Sequence, residues 1–389
     1  MAREFLLNMS SPNRAIQFLS CKVGLIIVWC VIFAYSQVSA AEEVVPQAEP
    51  PEETELNLIA IVPVPSIFYA PETGFGAGIG MVHAYRHLND GPEVPNSNFI
   101  PAIIYTQRNQ LIVRSFVEQF EQQGRIYWSA AAAYTRNPDR FFGIGNDATA
   151  ESGESYKEIG GSGEFSISKR ISPTTYFGPL IRYEEFAIRD RQPDGRLVQE
   201  TITGQRRGNI GGVGLRLLHS TRDNNFEARQ GRHVDFSMVK HSEVLGSSFE
   251  YIGVSTKIRN YWPLTGQLTL ATELSAEDLR GEVPFNKLAR LGGQNLLRGY
   301  ELGRFRDKKL TALQADLRNM FSSDFGVVLF FASGWVGPEW SDFDDRRFHA
   351  SYGAGIRMTM DRTSRIGLRL DYAAGKDSRA IYMGLGEAF

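Results

Sequence analysis

The sequence predicts an all-β chain: a closed, transmembrane antiparallel β-barrel of about 16 strands with both termini in the periplasm. Three observations predict it. Apolar and polar residues alternate with period two over most of the chain, turn signals recur roughly every twenty residues, and one long apolar run lies near the N-terminus. With 42 Lys+Arg, 44 Asp+Glu and a negative mean hydropathy, the chain is no polytopic helical membrane protein. Such a protein needs repeated runs of ~20 apolar residues. The 38 glycines and 12% aromatic residues suit strands, tight turns and aromatic belts. A net charge of -2 argues against a nucleic-acid partner.

Residues 1–40 read as a cleaved signal peptide. Arg3, Arg14 and Lys22 precede the apolar stretch from Val23 to Tyr35, and Val38-Ser39-Ala40 supplies the small residues cut by signal peptidase. Cleavage after Ala40 removes Cys21 and Cys30, the only 2 cysteines, so the mature chain carries no thiol. That suits an oxidising periplasm, and it excludes thiolate metal sites and cysteine nucleophiles. Residues 41–56 hold many Glu and Pro and no basic residue, and so read as an acidic, disordered periplasmic tether.

Residues 57–389 carry the barrel pattern. In Arg365 to Tyr372, Ile366, Leu368, Leu370 and Tyr372 share one face while Arg365, Gly367, Arg369 and Asp371 share the other. Tyr352 to Met360 behaves alike, and the pattern recurs at Val213 to Leu217, His233 to Met238 and Gln267 to Leu274. Expected turns fall at Asn89-Asp90-Gly91, Gln123-Gly124, Asn137-Pro138, Ser172-Pro173, Pro193-Asp194-Gly195 and Gln230-Gly231. Between them, strands of ~9 to 11 residues fit. Gly74 to Gly80 superficially suggests a nucleotide loop, but its alternation fits a strand with a small-residue face. In the last segment, Ile381, Met383, Leu385 and Phe389 are expected on one face, with Glu387 a departure on that same face.

Catalytic and metal readings are weak. Neighbours in a strand point to opposite faces, so His219-Ser220 and His241-Ser242 make poor dyads. His83 and His87 lie ~13 Å apart on a strand, too far to share a metal. Asp342, Asp344 and Asp345 belong to an expected exposed loop. The residues point to no enzyme, cofactor or metal site.

The segment Leu291 to Asp307 contains Leu297-Arg298-Gly299-Tyr300, an apolar residue followed by Arg-Gly-aromatic. This resembles the sixth extracellular loop of the BamA/TamA superfamily, also called the bacterial surface antigen family. Its distance from the C-terminus, with five strand-like segments after it, strengthens the match. Phe141-Phe142-Gly143-Ile144-Gly145-Asn146-Asp147 is similar to a segment of shorter members, and Thr221-Arg222-Asp223-Asn224 with Gly231 looks like a periplasmic turn. Pro71 to Gly76 resembles the start of the family's first strand, which makes that strand Gly-rich. The resemblance covers most of residues 63–389 and implies a short member without the periplasmic POTRA repeats of many relatives.

The resemblance also implies a latch, in which Arg298 reaches into the lumen and pairs with Asp316, with Phe330 supplying a ring face. The family's further acidic residue, two after Phe330, is replaced by Ala332, so a weaker or differently wired latch is expected. Phe389 stands where the family ends in an aromatic signal for barrel assembly. The function implied is assistance in inserting or translocating proteins or lipids across a seam between first and last strands. A passive or loop-plugged pore is the alternative, and a lipid-modifying barrel enzyme a third reading. Implied partners are outer-membrane lipid and lipopolysaccharide, the barrel assembly machinery, and a protein or lipid client.

Overall fold

The computed structural model describes residues 56–87, 90, 91, 94, 96–362 and 365–389. The expected signal peptide and nearly all of the expected tether lie outside the described residues. The chain forms β1 (Leu56–Ala70), β2 (Gly74–His87), β3 (Ser97–Thr106), β4 (Leu111–Glu121), β5 (Ile126–Phe141) and β6 (Glu154–Ser172). There follow β7 (Thr175–Arg189), β8 (Arg207–Ser220), β9 (Gly231–His241), β10 (Tyr251–Pro263) and β11 (Leu268–Gly281). After a small hairpin of β12 (Ala289–Leu291) and β13 (Phe305–Asp307) come β14 (Lys309–Asn319), β15 (Phe325–Gly337), β16 (His349–Asp361), β17 (Ile366–Gly375) and β18 (Ser378–Leu385). All but β12 and β13 close into one antiparallel barrel of 16 strands. Closure gives the strands' backbone polar groups partners where no water reaches them.

Alternation explains the wall. On β15, Phe325, Val327, Leu329 and Phe331 face outward and are exposed, while Val328, Phe330 and Ala332 are buried inside. On β14, Leu313 and Leu317 face outward and Gln314, Asp316 and Arg318 inward. An even strand number puts both barrel ends on one rim, the periplasmic one, and the long loop 282–308 on the other.

Three local expectations are corrected. Asn137-Pro138 is no turn but part of β5, opposite Glu158 and Lys157 of β6. Proline is tolerated there because β4 begins only at Leu111, opposite Arg136, and the Pro138 carbonyl instead accepts from Gln110 Nε2 at 3.2 Å. Pro71 to Thr73 forms the β1–β2 turn, so the Gly-rich strand is the second, and the first is Leu56–Ala70 with Pro63 and Pro65. Several strands exceed the expected length, up to the 19 residues of β6, and project beyond the membrane.

Contacts cross both mouths. The extracellular loops pack around an apolar cluster that includes Phe141, Phe186, Leu197, Phe249, Phe285 and Phe305. At the periplasmic mouth, the turn between β8 and β9 reaches the turn between β16 and β17, where Asp223 accepts from Arg365 Nη1 at 2.6 Å.

Candidate functional site

The loop between β11 and β14 folds back into the barrel. Its tip is a run of unusual backbone: Gly292 and Gly293 have φ of 115° and 88°, Leu297 is left-handed at 58°, and Gly299 stands at 107°. A non-glycine residue at positive φ is strained and persists only where its surroundings hold it. Here they do. The Gly293 amide donates to the Tyr300 carbonyl at 2.9 Å, and the Gly299 amide donates to the Tyr382 hydroxyl at 3.1 Å. A Cβ on Gly299 would lie 3.1 Å from the Ala374 backbone, so this position needs glycine for space as well as for φ.

This geometry drives Arg298 into the wall, where it is fully buried. Nη1 donates to Asp371 at 2.9 Å, Nη2 pairs with Asp316, and the guanidinium carbon sits 3.6 Å from the centre of the Phe330 ring. Asp316 of β14 and Phe330 of β15 are register partners, which puts carboxylate and ring side by side. On β16, Gly353 and Gly355 leave the necessary room: a Cβ there would come within 2.4 Å of the Phe330 ring and 2.0 Å of Asp371. Removing one partner from such a buried pair costs about 3–5 kcal/mol, because a charge is left without compensation.

The structure thus brings together Leu297, Arg298, Gly299, Tyr300, Asp316 and Phe330. It adds Asp371, which sequence reasoning missed. Ala332 lies in the apolar cluster, and the second carboxylate comes instead from β17. The signal was present in the alternation, which already put Asp371 on the polar face beside Arg369. Tyr300 ties the loop further out: its hydroxyl accepts from the Lys376 amide at 2.8 Å, and its ring lies against Gly375, where a Cβ would meet it at 2.3 Å. Asn146, in the Phe141 to Asp147 segment, donates to the Arg347 carbonyl at 2.7 Å and accepts from the Val336 amide at 3.1 Å. Its neighbour Gly145 donates to the Arg306 carbonyl, so this segment clasps the loop from above.

Phe389 departs from expectation. Gly386, at φ 70°, ends β18, and the last residues turn inward, so the Phe389 ring is buried beside Tyr261 and Ala271 under Arg318 rather than sharing the outer face of Ile381. Glu387 also points into the lumen, where Arg357 Nε donates to it at 2.9 Å. The His-Ser dipeptides form no dyad: His219 contacts the Thr175 hydroxyl at 3.0 Å, and His241 stacks on Tyr251 at 4.2 Å.

Two further features complete the site. Along β6 to β11 lies a cavity of about 320 Å³ lined by Glu164, Arg182, Arg216, Asp235, Lys257 and Glu277, among others. The seam between β1 and β18 has a single paired position, Tyr69 opposite Met383, among the described residues. Extending that register puts Ile67 opposite Leu385, where β18 stops, so Leu56 to Ser66 continue with β2 on one side and, among the described residues, no strand on the other.

No curated protein matches the chain. Its fold is similar to that of BamA from Haemophilus ducreyi lacking POTRA domains 1–3, with a TM-score of 0.57 at 15% identity over 84% of this chain and 70% of that one. CdiB from Acinetobacter baumannii gives a TM-score of 0.53 at 11% identity over 85% of this chain, and CdiB from Escherichia coli gives 0.52 at 10% over 83%. This chain spans 59% and 62% of those two CdiB chains. The model of the Omp85 superfamily domain matches residues 101–389, well over half the sequence, and the chain belongs to that family of outer-membrane β-barrels.

Proposed function

We propose that this barrel assists insertion or translocation of proteins or lipids at the outer membrane through the β1–β18 seam, with the Leu297 to Tyr300 tip as a lumen latch and no covalent chemistry of its own. The observation that carries this reading is the seam's single paired position among the described residues, Tyr69 with Met383, against eight to sixteen at other barrel ladders such as β17–β18 and β5–β6. An open strand edge is a template for another strand, and here it belongs to β1. The exported chain is cleaved after Ala40 in this reading, and residues 41–56 tether the barrel on the periplasmic side. Phe389 is buried in the finished barrel, so its part as an assembly signal belongs to the chain before closure.

The test is a disulfide across the seam. Tyr69→Cys with Met383→Cys joins register partners in a chain whose only 2 cysteines lie in the expected signal peptide. Reconstituted in liposomes, the reduced protein is expected to speed folding of a denatured barrel client and the oxidised protein to lose that effect. Equal rates in both states overturn the seam mechanism. The charged cavity favours a second reading, a loop-plugged pore, for which planar-bilayer conductance of Arg298→Ala is decisive.

A further inference from the structure

The Arg298 pairings belong to a larger figure. Arg298 contacts Asp316, and Asp316 faces Arg318 Nη2 at 3.5 Å. Arg318 Nε faces Glu387 at 3.8 Å, and Arg357 Nε bonds Glu387 at 2.9 Å. Arg357 Nη1 then bonds Asp371 at 2.7 Å, and Asp371 returns to Arg298 at 2.9 Å. Six alternating charges close into a ring whose members come from the loop, from β14, β16 and β17, and from the tail beyond β18. None has a side chain more than 7% exposed.

We propose that Glu387 is a positioning residue for Arg298, so that displacement of the C-terminal tail and withdrawal of the loop tip are one coupled event. A buried charge is tolerated only with its partners in place. Within the ring every group has two neighbours of opposite sign. Removing Glu387 leaves Arg318 and Arg357 each short of one carboxylate, and both draw on Asp316 and Asp371, the carboxylates that hold Arg298. The tail is joined to the seam strand: Gly386 follows β18 directly and donates to the Gly367 carbonyl at 2.8 Å, while Arg318 Nη2 donates to the Phe389 backbone oxygen at 3.0 Å. A strand leaving the seam therefore pulls on the ring. The coupling rests on the seam reading only for what moves the tail; the ring itself is independent of it.

Thermodynamic coupling is reciprocal, which supplies the test. Leu297 is fully buried at the tip and Ala388 is 6% exposed on the tail, so a single cysteine at either site reports opening by its rate of maleimide labelling. Glu387→Gln is expected to speed labelling of Leu297→Cys about tenfold, Glu387→Asp to restore it, and Arg298→Ala to speed labelling of Ala388→Cys by a similar factor. Heat-modifiable migration identifies barrels that still fold. Should Glu387→Gln fail to fold, Arg318→Gln opens the ring at another joint. If each substitution exposes only its own segment, or if Glu387→Asp restores nothing, the coupling is overturned. A seam disulfide that leaves client folding unaffected would leave this result standing, so the two readings fail separately.

Discussion

Both flanks of the lumen are lined with ion pairs, yet water reaches them differently. On the β14–β18 flank, Arg298, Asp316 and Asp371 have fully buried side chains. On the β6–β11 flank, Arg182 and Glu164 are 38% and 27% exposed, and Asp235 is 30% exposed beside the cavity. Geometry is not what separates them, for Arg216 Nη2 meets Asp235 at 2.7 Å, as close as Arg357 Nη1 comes to Asp371 in the ring. Desolvation is. In a wet site a broken pair is repaid by water and costs ~0–1 kcal/mol, whereas in a dry one the orphaned charge costs about 3–5 kcal/mol. The dry flank therefore holds the loop, and the wet flank sets the field around an open cavity.

The strongest way to break this contrast is Arg298→Ala. It leaves Asp316 and Asp371 buried without their shared cation, at a cost of about 3–5 kcal/mol to the latched state. Single-channel recordings are expected to change from nearly closed to frequently open. Asp371→Asn should give part of the same effect, since Asp316 remains. Closed recordings from Arg298→Ala would mean that the extracellular cluster, not the ring, seals the barrel.

Gly375→Ala tests the same flank through packing. The added methyl would fall 2.3 Å from the Tyr300 ring, so the ring must shift. Overpacking of this kind costs about 1–3 kcal/mol. Shorter closed times than wild type are expected, with open times below those of Arg298→Ala. Tyr300→Leu in the same background should relieve the clash, whereas Arg298→Lys should not.

How much of this contrast the sequence disclosed depends on the distance over which each signal acts. Alternation is local, so the residues of β16 and β17 can be assigned to faces one by one, and Asp371 falls on the polar side. Which carboxylate meets Arg298 is not local, for Asp371 lies far along the chain and only closure of the barrel brings it near. Pro63 and Pro65 hid the first strand, because proline reads as a breaker wherever its pairing edge is unknown. Extending the alternation of β18 puts Glu387 on the outer face. The positive φ of Gly386 ends the strand first and turns the carboxylate inward. The wet and dry flanks carry similar residues, so their difference was not legible before the loop was placed.

On the wet flank, Arg182→Ala should cost ~0–1 kcal/mol. It is expected to leave latching and labelling of the loop tip unchanged. In an Arg298→Ala barrel, where ions pass, it should lower anion over cation permeability, because Glu164 keeps only its longer contact to Arg216 at 3.8 Å. Reversal potentials in a salt gradient read this directly. A loosened loop with unchanged selectivity would erase the distinction between the flanks.

The smallest effect concerns the strap that joins them. Asp223 sits in the turn between β8 and β9, Arg365 in the turn between β16 and β17, and their 2.6 Å contact crosses the periplasmic mouth. Burial alone would raise the Asp223 pKa. The Arg365 hydrogen bond and the amides of Arg229 and Gln230 outweigh burial and hold it below the usual 3.8. A carboxylate with a depressed pKa stabilises the folded contact above its unfolded value, and that contribution is lost as pH falls through the lower, folded one. The strap should therefore stay shut across neutral pH and loosen only in strong acid, with less than about 1 kcal/mol at stake because Arg365 is 32% exposed. Arg365→Ala at neutral pH should reproduce the acid effect, seen as faster proteolysis within residues 221–230 and no change in labelling of Leu297→Cys. If that labelling also rises, the strap and the ring are one device, and the periplasmic turns belong to the latch.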